Sequence, residues 1–320
     1  MKAVYFTKYG TSEVLNIKDI EVPIPEEDEL LIKVHATTFN RTDCAIISGP
    51  FLMRLFTGLL KPGKSVPGTD FAGQVVKTGK NVTRFRAGDK VFGFDDMGLL
   101  SMAQYMVIRE DKAIAHIPGD ISFNEAVASL EGVHYAINFI NKVKILPGQK
   151  VLVNGATGAI GSALVQLLKT YNASVTATCH GVNREKVKSL GADKVIDFTI
   201  EDFTRDNERY DYVFDAAGKS TFGACKVLLK EKGIYISSEL GPMAQNPFLA
   251  LFTMIKGGKK VVFPIPFDIK ASISLISDLI VKGKFRPLID RTYNLDKIRD
   301  AYTYTLSGQK VGNVIIGVND

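Results

Sequence analysis

Cysteine is scarce in this chain. Its 320 residues include three, Cys44, Cys179 and Cys225, far apart and without a C-x-x-C pair. That spacing excludes a disulfide framework and points to a reducing compartment, the cytoplasm. Long apolar runs are also missing. The greasiest stretches, 99–106 and 246–255, are too short or too interrupted to cross a membrane. The opening Met1-Lys2-Ala3-Val4-Tyr5-Phe6 reads as a strand, not as a signal peptide. The net charge of +6 is spread out, with no basic block and no basic stripe interleaved with aromatics, so nucleic acid is not an expected partner. His35, His116, His134 and His180 show no metal-ligand spacing such as H-x-x-x-H. What remains is a folded chain, 46% apolar, long enough for about two domains.

Residues 151–161 carry the strongest signal. Val151-Leu152-Val153 run through Asn154 into Gly155-Ala156-Thr157-Gly158-Ala159-Ile160-Gly161, and 162–171 then reads as a helix. Gly155 and Gly158 let the backbone approach a pyrophosphate with no Cβ in the way. Gly161 lets the helix pack close to the strand, so its unpaired N–H groups face the phosphates. A glycine triplet alone is weak; this one has its strand before it and its helix after it.

The next strand, 174–179, refines the cofactor. A chain built for NAD places Asp or Glu near its end to bind the ribose 2′-hydroxyl. Here the strand ends in Cys179-His180-Gly181-Val182-Asn183-Arg184, with no carboxylate until Glu185. Arg184 or Lys188 could offset a 2′-phosphate with help from His180 and Asn183, so NADP(H) is expected ahead of NAD(H). A solvated helix face is the alternative for Arg184 and Lys188. Cys179, and Ser238 at the end of strand 233–238, complete the expected cofactor contacts.

The chain changes character along its length. Residues 1–120 are β-rich, with alternating runs at 30–35, 72–78, 90–94 and 105–108 between Gly, Pro and Asp turns. From about residue 124, strands at 150–154, 174–179, 194–197, 211–215, 233–238 and 259–263 alternate with helices, which means a parallel sheet covered on both faces. The tail returns to a helix at 270–282 and a last strand at 311–318. The simplest arrangement is a β-rich N-terminal part that recruits the C-terminus, with a nucleotide-binding fold inserted. A substrate would then meet the nicotinamide in the crevice between the parts.

With these features the chain resembles the medium-chain dehydrogenase/reductase superfamily, on its zinc-independent quinone oxidoreductase and 2-alkenal reductase side. The resemblance covers nearly the whole length. It rests on Met1-Lys2-Ala3-Val4 with Tyr9-Gly10 and Glu13-Val14-Leu15, on Pro67-Gly68-Thr69-Asp70-Phe71-Ala72-Gly73 followed by Gly79, and on Phe85-Arg86-Ala87-Gly88-Asp89-Lys90-Val91-Phe92-Gly93. The dinucleotide turn, Leu190-Gly191-Ala192-Asp193, Tyr210-Asp211-Tyr212-Val213-Phe214-Asp215 and Gly312-Asn313-Val314-Ile315 complete it. It implies an α/β fold: a doubly wound Rossmann domain (123–265) inserted into a β-rich GroES-like catalytic domain (1–122 and 266–320).

It also bears on zinc. Zinc alcohol dehydrogenases carry a Cys in the segment corresponding to Asn40-Arg41-Thr42-Asp43, and Gly-His-Glu where this chain has Gly68-Thr69-Asp70. Asn40 and Thr69 are poor ligands beside thiolate and imidazole. The four-cysteine structural lobe is absent, and Cys44 reads as a buried inert thiol. No zinc is expected. Hydride transfer must then go to an acceptor that needs little help, a quinone or an α,β-unsaturated carbonyl, whose charge delocalises onto oxygen. An NADP-dependent alcohol dehydrogenase or ketone reductase working without zinc is one alternative. A cofactor-binding sensor without turnover is another.

In similar enzymes the turn at Asn40 and Asp43 lines the substrate. Asn40 is the expected donor to the substrate oxygen. Asp43 either positions it or caps a helix. Relatives often place a tyrosine after the next Ser-Gly; Ser48-Gly49-Pro50-Phe51 offers no hydroxyl, which leaves His134 or Tyr135 to supply a proton. Glu131-Gly132-Val133-His134-Tyr135 occupies the segment that usually touches the cofactor near its nicotinamide. A packed core histidine is the plain alternative for His134. The apolar segment 51–60 is a lid over a greasy substrate, a dimer surface, or a short helix buried against its domain, the last slightly favoured. Many similar enzymes dimerise along the last strand of the nucleotide-binding sheet, here 259–263, and a homodimer is expected.

Overall fold

The structure, a computed structural model, describes residues 1–237 and 239–319, apart from the side chain of Lys256. Two compact units emerge. One contains Met1–Glu131 and the C-terminal segment from Asp268; the other is Gly132–Phe267.

The first unit opens with β1 (Lys2–Tyr5) and β2 (Asn16–Asp19), an antiparallel pair. β3 (Glu29–Thr38) follows, then α1 (Arg41–Ser48), α2 (Phe51–Thr57), β4 (Asp70–Thr78), β5 (Lys90–Phe94), β6 (Tyr105–Arg109), β7 (Ile114–His116) and α3 (Phe123–Ala128). Strict alternation in β3 buries Leu30, Ile32, Val34 and Ala36 on one face, as period-2 patterning requires. The sequence pattern put the domain boundary at 122/123. The structure moves it to 131/132, because α3 packs on β3 and β4 and buries Ala126, Val127 and Ala128 against Ala36, Ala72 and Phe92.

After α4 (Glu131–Ile140), the second unit contains β8 (Lys150–Asn154), α5 (Ala159–Thr170), β9 (Ser174–Cys179), α6 (Arg184–Ser189), β10 (Lys194–Asp197), β11 (Tyr210–Asp215), α7 (Phe222–Cys225), β12 (Leu229–Ser237), α8 (Gln245–Lys256) and β13 (Lys260–Val262). All six strands are parallel, in the order β10-β9-β8-β11-β12-β13. The strand order reverses at β8. In such sheets ligands bind outside the carboxyl ends of the strands at that switch point, and the glycine turn leaves β8 there. β12 starts four residues before the sequence pattern places it, because Leu229 already pairs with Tyr210.

The chain then returns to the first unit through α9 (Ile269–Val281), β14 (Ile289–Asn294), α10 (Ile298–Leu306) and β15 (Asn313–Gly317). The larger sheet runs β14-β15-β3-β4-β5-β7, with β6 on β3. β15 lies antiparallel to β3, pairing Ile315 with Thr38. The C-terminus thus completes the sheet that the N-terminus begins.

Candidate active site

The dinucleotide turn is built by exclusion of side chains. Gly155 has φ +85°, a left-handed conformation, and a Cβ there would meet the Ala217 Cβ at 2.7 Å. A Cβ on Gly161 would lie 2.1 Å from the Gly155 carbonyl oxygen. Only glycine allows that closeness of helix and turn. Gly158, by contrast, would hold a Cβ at an ordinary contact distance, 3.6 Å from the Gly155 carbonyl oxygen, and forms the N-cap of α5 with no side-chain cap. The N–H groups of Ala159, Ile160 and Gly161 therefore begin a helix with no carbonyl of their own to meet. Gly155, Thr157, Gly158, Ala159 and Ile160 are partly exposed, so this end of the helix is open to an anion.

The neighbouring strands hold the turn rigidly. Thr178 Oγ1 donates to Asn154 Oδ1 at 2.7 Å and accepts from the Gly155 N–H at 3.0 Å. The Ala156 N–H reaches the Thr178 carbonyl at 3.0 Å. Asn154 Nδ2 donates to Asp215 Oδ1 at 2.9 Å, and the Tyr235 hydroxyl to Asp215 Oδ2 at 2.9 Å. Gly132 at the start of α4 approaches α5 so closely that a Cβ would lie 2.8 Å from that of Ala159. The segment bearing His134 and Tyr135 therefore sits beside the cofactor turn. His134 is 2% exposed, with Asn138 Nδ2 at 3.4 Å from its Nε2.

Past β9 the picture is mixed. Cys179 is buried and its thiol is pushed up by desolvation. His180 is exposed, and its Nδ1 accepts from the Val182 N–H at 3.3 Å. Asn183 leads into α6. Arg184 lies 3.8 Å from Glu201, and Lys188 donates to Glu185 Oε1 at 3.1 Å. The sequence pattern shows no acid here before Glu185, but β10 brings one: Asp197 Oδ2 lies 2.0 Å from where a Gly181 Cβ would be. Its Oδ1 accepts from the Thr199 N–H and hydroxyl, and these bonds hold its carboxyl below the usual range. Ser238 lies outside the described residues.

The catalytic candidates of the first unit form a buried polar cluster. Asn40, 5% exposed, sits between β3 and α1. Its Nδ2 donates to Thr38 Oγ1 at 2.7 Å and to Glu131 Oε2 at 2.9 Å, and its Oδ1 accepts from Lys310 Nζ at 2.9 Å. Both amide N–H groups are thus committed within the protein, whereas the sequence suggested a donor aimed at substrate. Asp43, 0% exposed, accepts from the Asn40 N–H through Oδ2 at 2.8 Å, the helix-capping role; its Oδ1 is buried with no partner among the described residues. Glu131 collects Thr42 Oγ1 at 2.5 Å and Thr69 Oγ1 at 3.4 Å besides Asn40. Asp70 takes the Thr38 N–H at 2.7 Å, the Thr38 hydroxyl at 2.6 Å and the Thr37 hydroxyl at 3.0 Å.

Burial governs the charges here. It raises Asp43 well above its usual range and raises Glu131, and it lifts Asp70 to about 7; the Glu131 charge adds to the shifts at Asp43 and Asp70. Burial lowers Lys310, while Glu131 pulls the other way. Cys44 is pushed up to about 12, an inert thiol. Sequence inspection missed Glu131, Thr69, Asp70 and Lys310 as partners. Lys310 lies 270 residues from Asn40, and only the return of β15 to β3 brings it near.

The α2 segment departs from the favoured expectation of burial. Phe51 and Phe56 are each 71% exposed and none of the helix is buried. Arg54 explains its placement: the guanidinium packs on the Tyr9 ring at 4.7 Å and Nε bonds the Gly49 carbonyl at 2.6 Å, which turns the apolar face outward.

Residues 26–119 match the family model of the alcohol dehydrogenase GroES-like domain, and 190–316 that of the zinc-binding dehydrogenase. A quinone-oxidoreductase homolog from Spinacia oleracea chloroplasts is 32% identical over 99% of this chain and 98% of its own. The chain belongs to the medium-chain dehydrogenase/reductase superfamily. A chloroplastic NADPH-dependent alkenal/one oxidoreductase of Arabidopsis thaliana is 31% identical over 99% of this chain and 79% of its own. Among solved structures, the quinone oxidoreductase of Coxiella burnetii superposes with TM-score 0.87 at 26% identity, covering 100% of this chain and 99% of that one. This medium-chain reductase is thus an NAD(P)H-dependent oxidoreductase, and the open, glycine-lined turn of its second unit fits the nicotinamide dinucleotide. No helix among the described residues is long and apolar enough to cross a membrane.

Proposed function

We propose that this enzyme transfers hydride from NADPH to a quinone or an α,β-unsaturated carbonyl without zinc. The donor set around Glu131 carries this conclusion. Asn40 and Thr69 stand where zinc alcohol dehydrogenases have Cys and His. Here both turn hydrogen atoms, not lone pairs, toward Glu131, and an ammonium lies 2.9 Å from the remaining Asn40 oxygen. A dication would face those hydrogens and that positive charge. The residues do not fit zinc. Conjugated acceptors suit such a site, since their negative charge moves to oxygen and hydrogen-bond donors suffice to hold it. The relatives, a quinone-oxidoreductase homolog and an alkenal/one oxidoreductase, point the same way.

Bound NADPH supplies the hydride. The chain's own residues do the rest: the turn at Gly155, Ala156, Thr157, Gly158, Ala159, Ile160 and Gly161 holds the pyrophosphate, and His180, Asn183, Arg184 and Lys188 favour a 2′-phosphate, beside an Asp197 whose Oδ1 is engaged by Thr199 and whose Oδ2 faces Gly181. Asn40 and Asp43 position the cluster, and His134 or Tyr135 borders the cofactor. The exposed apolar face of α2 suits a hydrophobic substrate. The thiols, all unpaired and buried, suit a reducing compartment such as the cytoplasm. β13, at the edge of its sheet, suits pairing with a second copy.

The test is oxidation of NADPH, and of NADH alongside, with benzoquinone, phenanthrenequinone, hexenal and a panel of ketones as acceptors. Turnover of quinones or hexenal that prefers NADPH is expected. Turnover confined to simple ketones would favour a carbonyl–alcohol enzyme, and cofactor binding without turnover a sensor.

A further inference from the structure

Lys310 is absent from the sequence motifs, yet its ammonium is set directly on the Asn40 side chain. It lies in the turn between α10 and β15; part of the residue is exposed, while its ammonium is buried against the cluster. Its Nζ makes one hydrogen bond, to Asn40 Oδ1 at 2.9 Å; its other two N–H groups have no partner among the described residues. Three buried acids surround the region, Asp43, Asp70 and Glu131, and the Asp43 Oδ1 has no partner among the described residues. Both Asn40 N–H groups are taken by Thr38 and Glu131, whereas the ammonium has N–H groups to spare.

We propose that Lys310 is the catalytic donor: its ammonium binds the oxygen of the conjugated carbonyl or quinone, with Glu131 and Asn40 positioning it. This rests on the reductase function above. Hydride leaves C4 of the reduced nicotinamide with its electron pair and bonds to the acceptor's electrophilic atom, the β-carbon in an enal. The conjugated π electrons shift and the carbonyl π pair moves to oxygen. That oxygen takes a proton from Lys310, and the neutral amine regains one from solvent. NADPH is oxidised, and the acceptor is reduced by two electrons. An ammonium thus does the charge stabilisation that a metal does in the zinc branch.

Three variants test it, each first checked by thermal melting: Lys310→Met, Lys310→Arg and Glu131→Gln. With hexenal, K310M should lower kcat by ~100-fold, the scale of one proton or oxyanion donor, with NADPH affinity unchanged. K310R should restore part of the loss. The groups facing Lys310 are Glu131, Asp43, Cys44 and Arg41. Wild-type kcat should fall as pH rises through the lowered Lys310 pKa. E131Q removes the charge that raises it and should move that limb to lower pH; K310M should lack the limb. A binding readout is independent of turnover. para-Nitrophenol bound to the NADP⁺ complex should ionise more readily on wild type than on K310M. Wild-type turnover with K310M near the same rate, and equal nitrophenol ionisation, would overturn the assignment and leave the reductase standing. No wild-type turnover would instead refute the reductase, and the nitrophenol titration would still decide whether Lys310 binds an oxyanion.

Discussion

At the residue scale, the polar cluster is a set of buried acids held by hydroxyls. Asp70 shows the consequence most plainly. Its folded pKa, about 7, exceeds its usual value of 3.8. A carboxyl shifted upward binds its proton more tightly in the folded state. Its contribution is therefore fully present below the unfolded pKa and is lost as pH rises toward 7. Asp43 and Glu131 shift in the same direction and deepen the trend. Denaturant unfolding at pH 5 and pH 8 should show this loss in the wild type and a smaller one in Asp70→Asn. An equal loss in both would show that Asp70 is already ionised in the folded protein at pH 5. The residue types at Asn40 and Thr69 can be read from sequence as poor zinc ligands. Their convergence on Glu131 cannot, since hydrogen-bond partners 91 and 62 residues away depend on the fold.

Single elements differ in how openly their function is written. The β8–turn–α5 unit is legible, because Gly155 and Gly161 answer local steric demands. Gly161→Ala places a methyl 2.1 Å from a backbone oxygen that has nowhere to move. NADPH affinity should drop at least ~10-fold, as a small displacement of a positioning element does. Fluorescence titration of the nucleotide would check it, and unchanged affinity would remove the close-packing role. α2 is less legible: its mostly apolar residues slightly favour burial, and the structure exposes most of them. Its outward face follows from Arg54 stacking on Tyr9, a contact between residues 45 positions apart. Because Phe51, Leu55 and Phe56 are 71%, 57% and 71% exposed, replacing all three by Ser should change stability by less than ~0.5 kcal/mol per site. If α2 covers an apolar substrate, the same variant raises KM for hexenal and leaves kcat nearly intact. Unchanged KM would confine α2 to another surface role.

The whole molecule shows why alternation in sequence predicts one sheet well and the other in part. The parallel sheet follows from buried strands alternating with helices, and its strands fall within a few residues of the sequence pattern. The larger sheet joins β3 to β15 across nearly the whole chain, which no local pattern encodes. Association belongs to this scale as well. β13 is an edge strand, and Phe248 and Ile255 on the neighbouring α8 are 73% and 80% exposed. Light scattering should give two chains per particle, and Phe248→Asp with Ile255→Asp should give one with the melting temperature of the isolated chain unaffected; a wild-type monomer would refute the pairing. On the function proposed above, this medium-chain reductase works without zinc. The most direct measurement is the metal content of purified enzyme, by elemental mass spectrometry, on the same sample whose NADPH-dependent hexenal turnover is recorded. Full turnover with far less than one zinc per chain is the predicted result. One zinc per chain, with turnover lost when a chelator removes it, would contradict it.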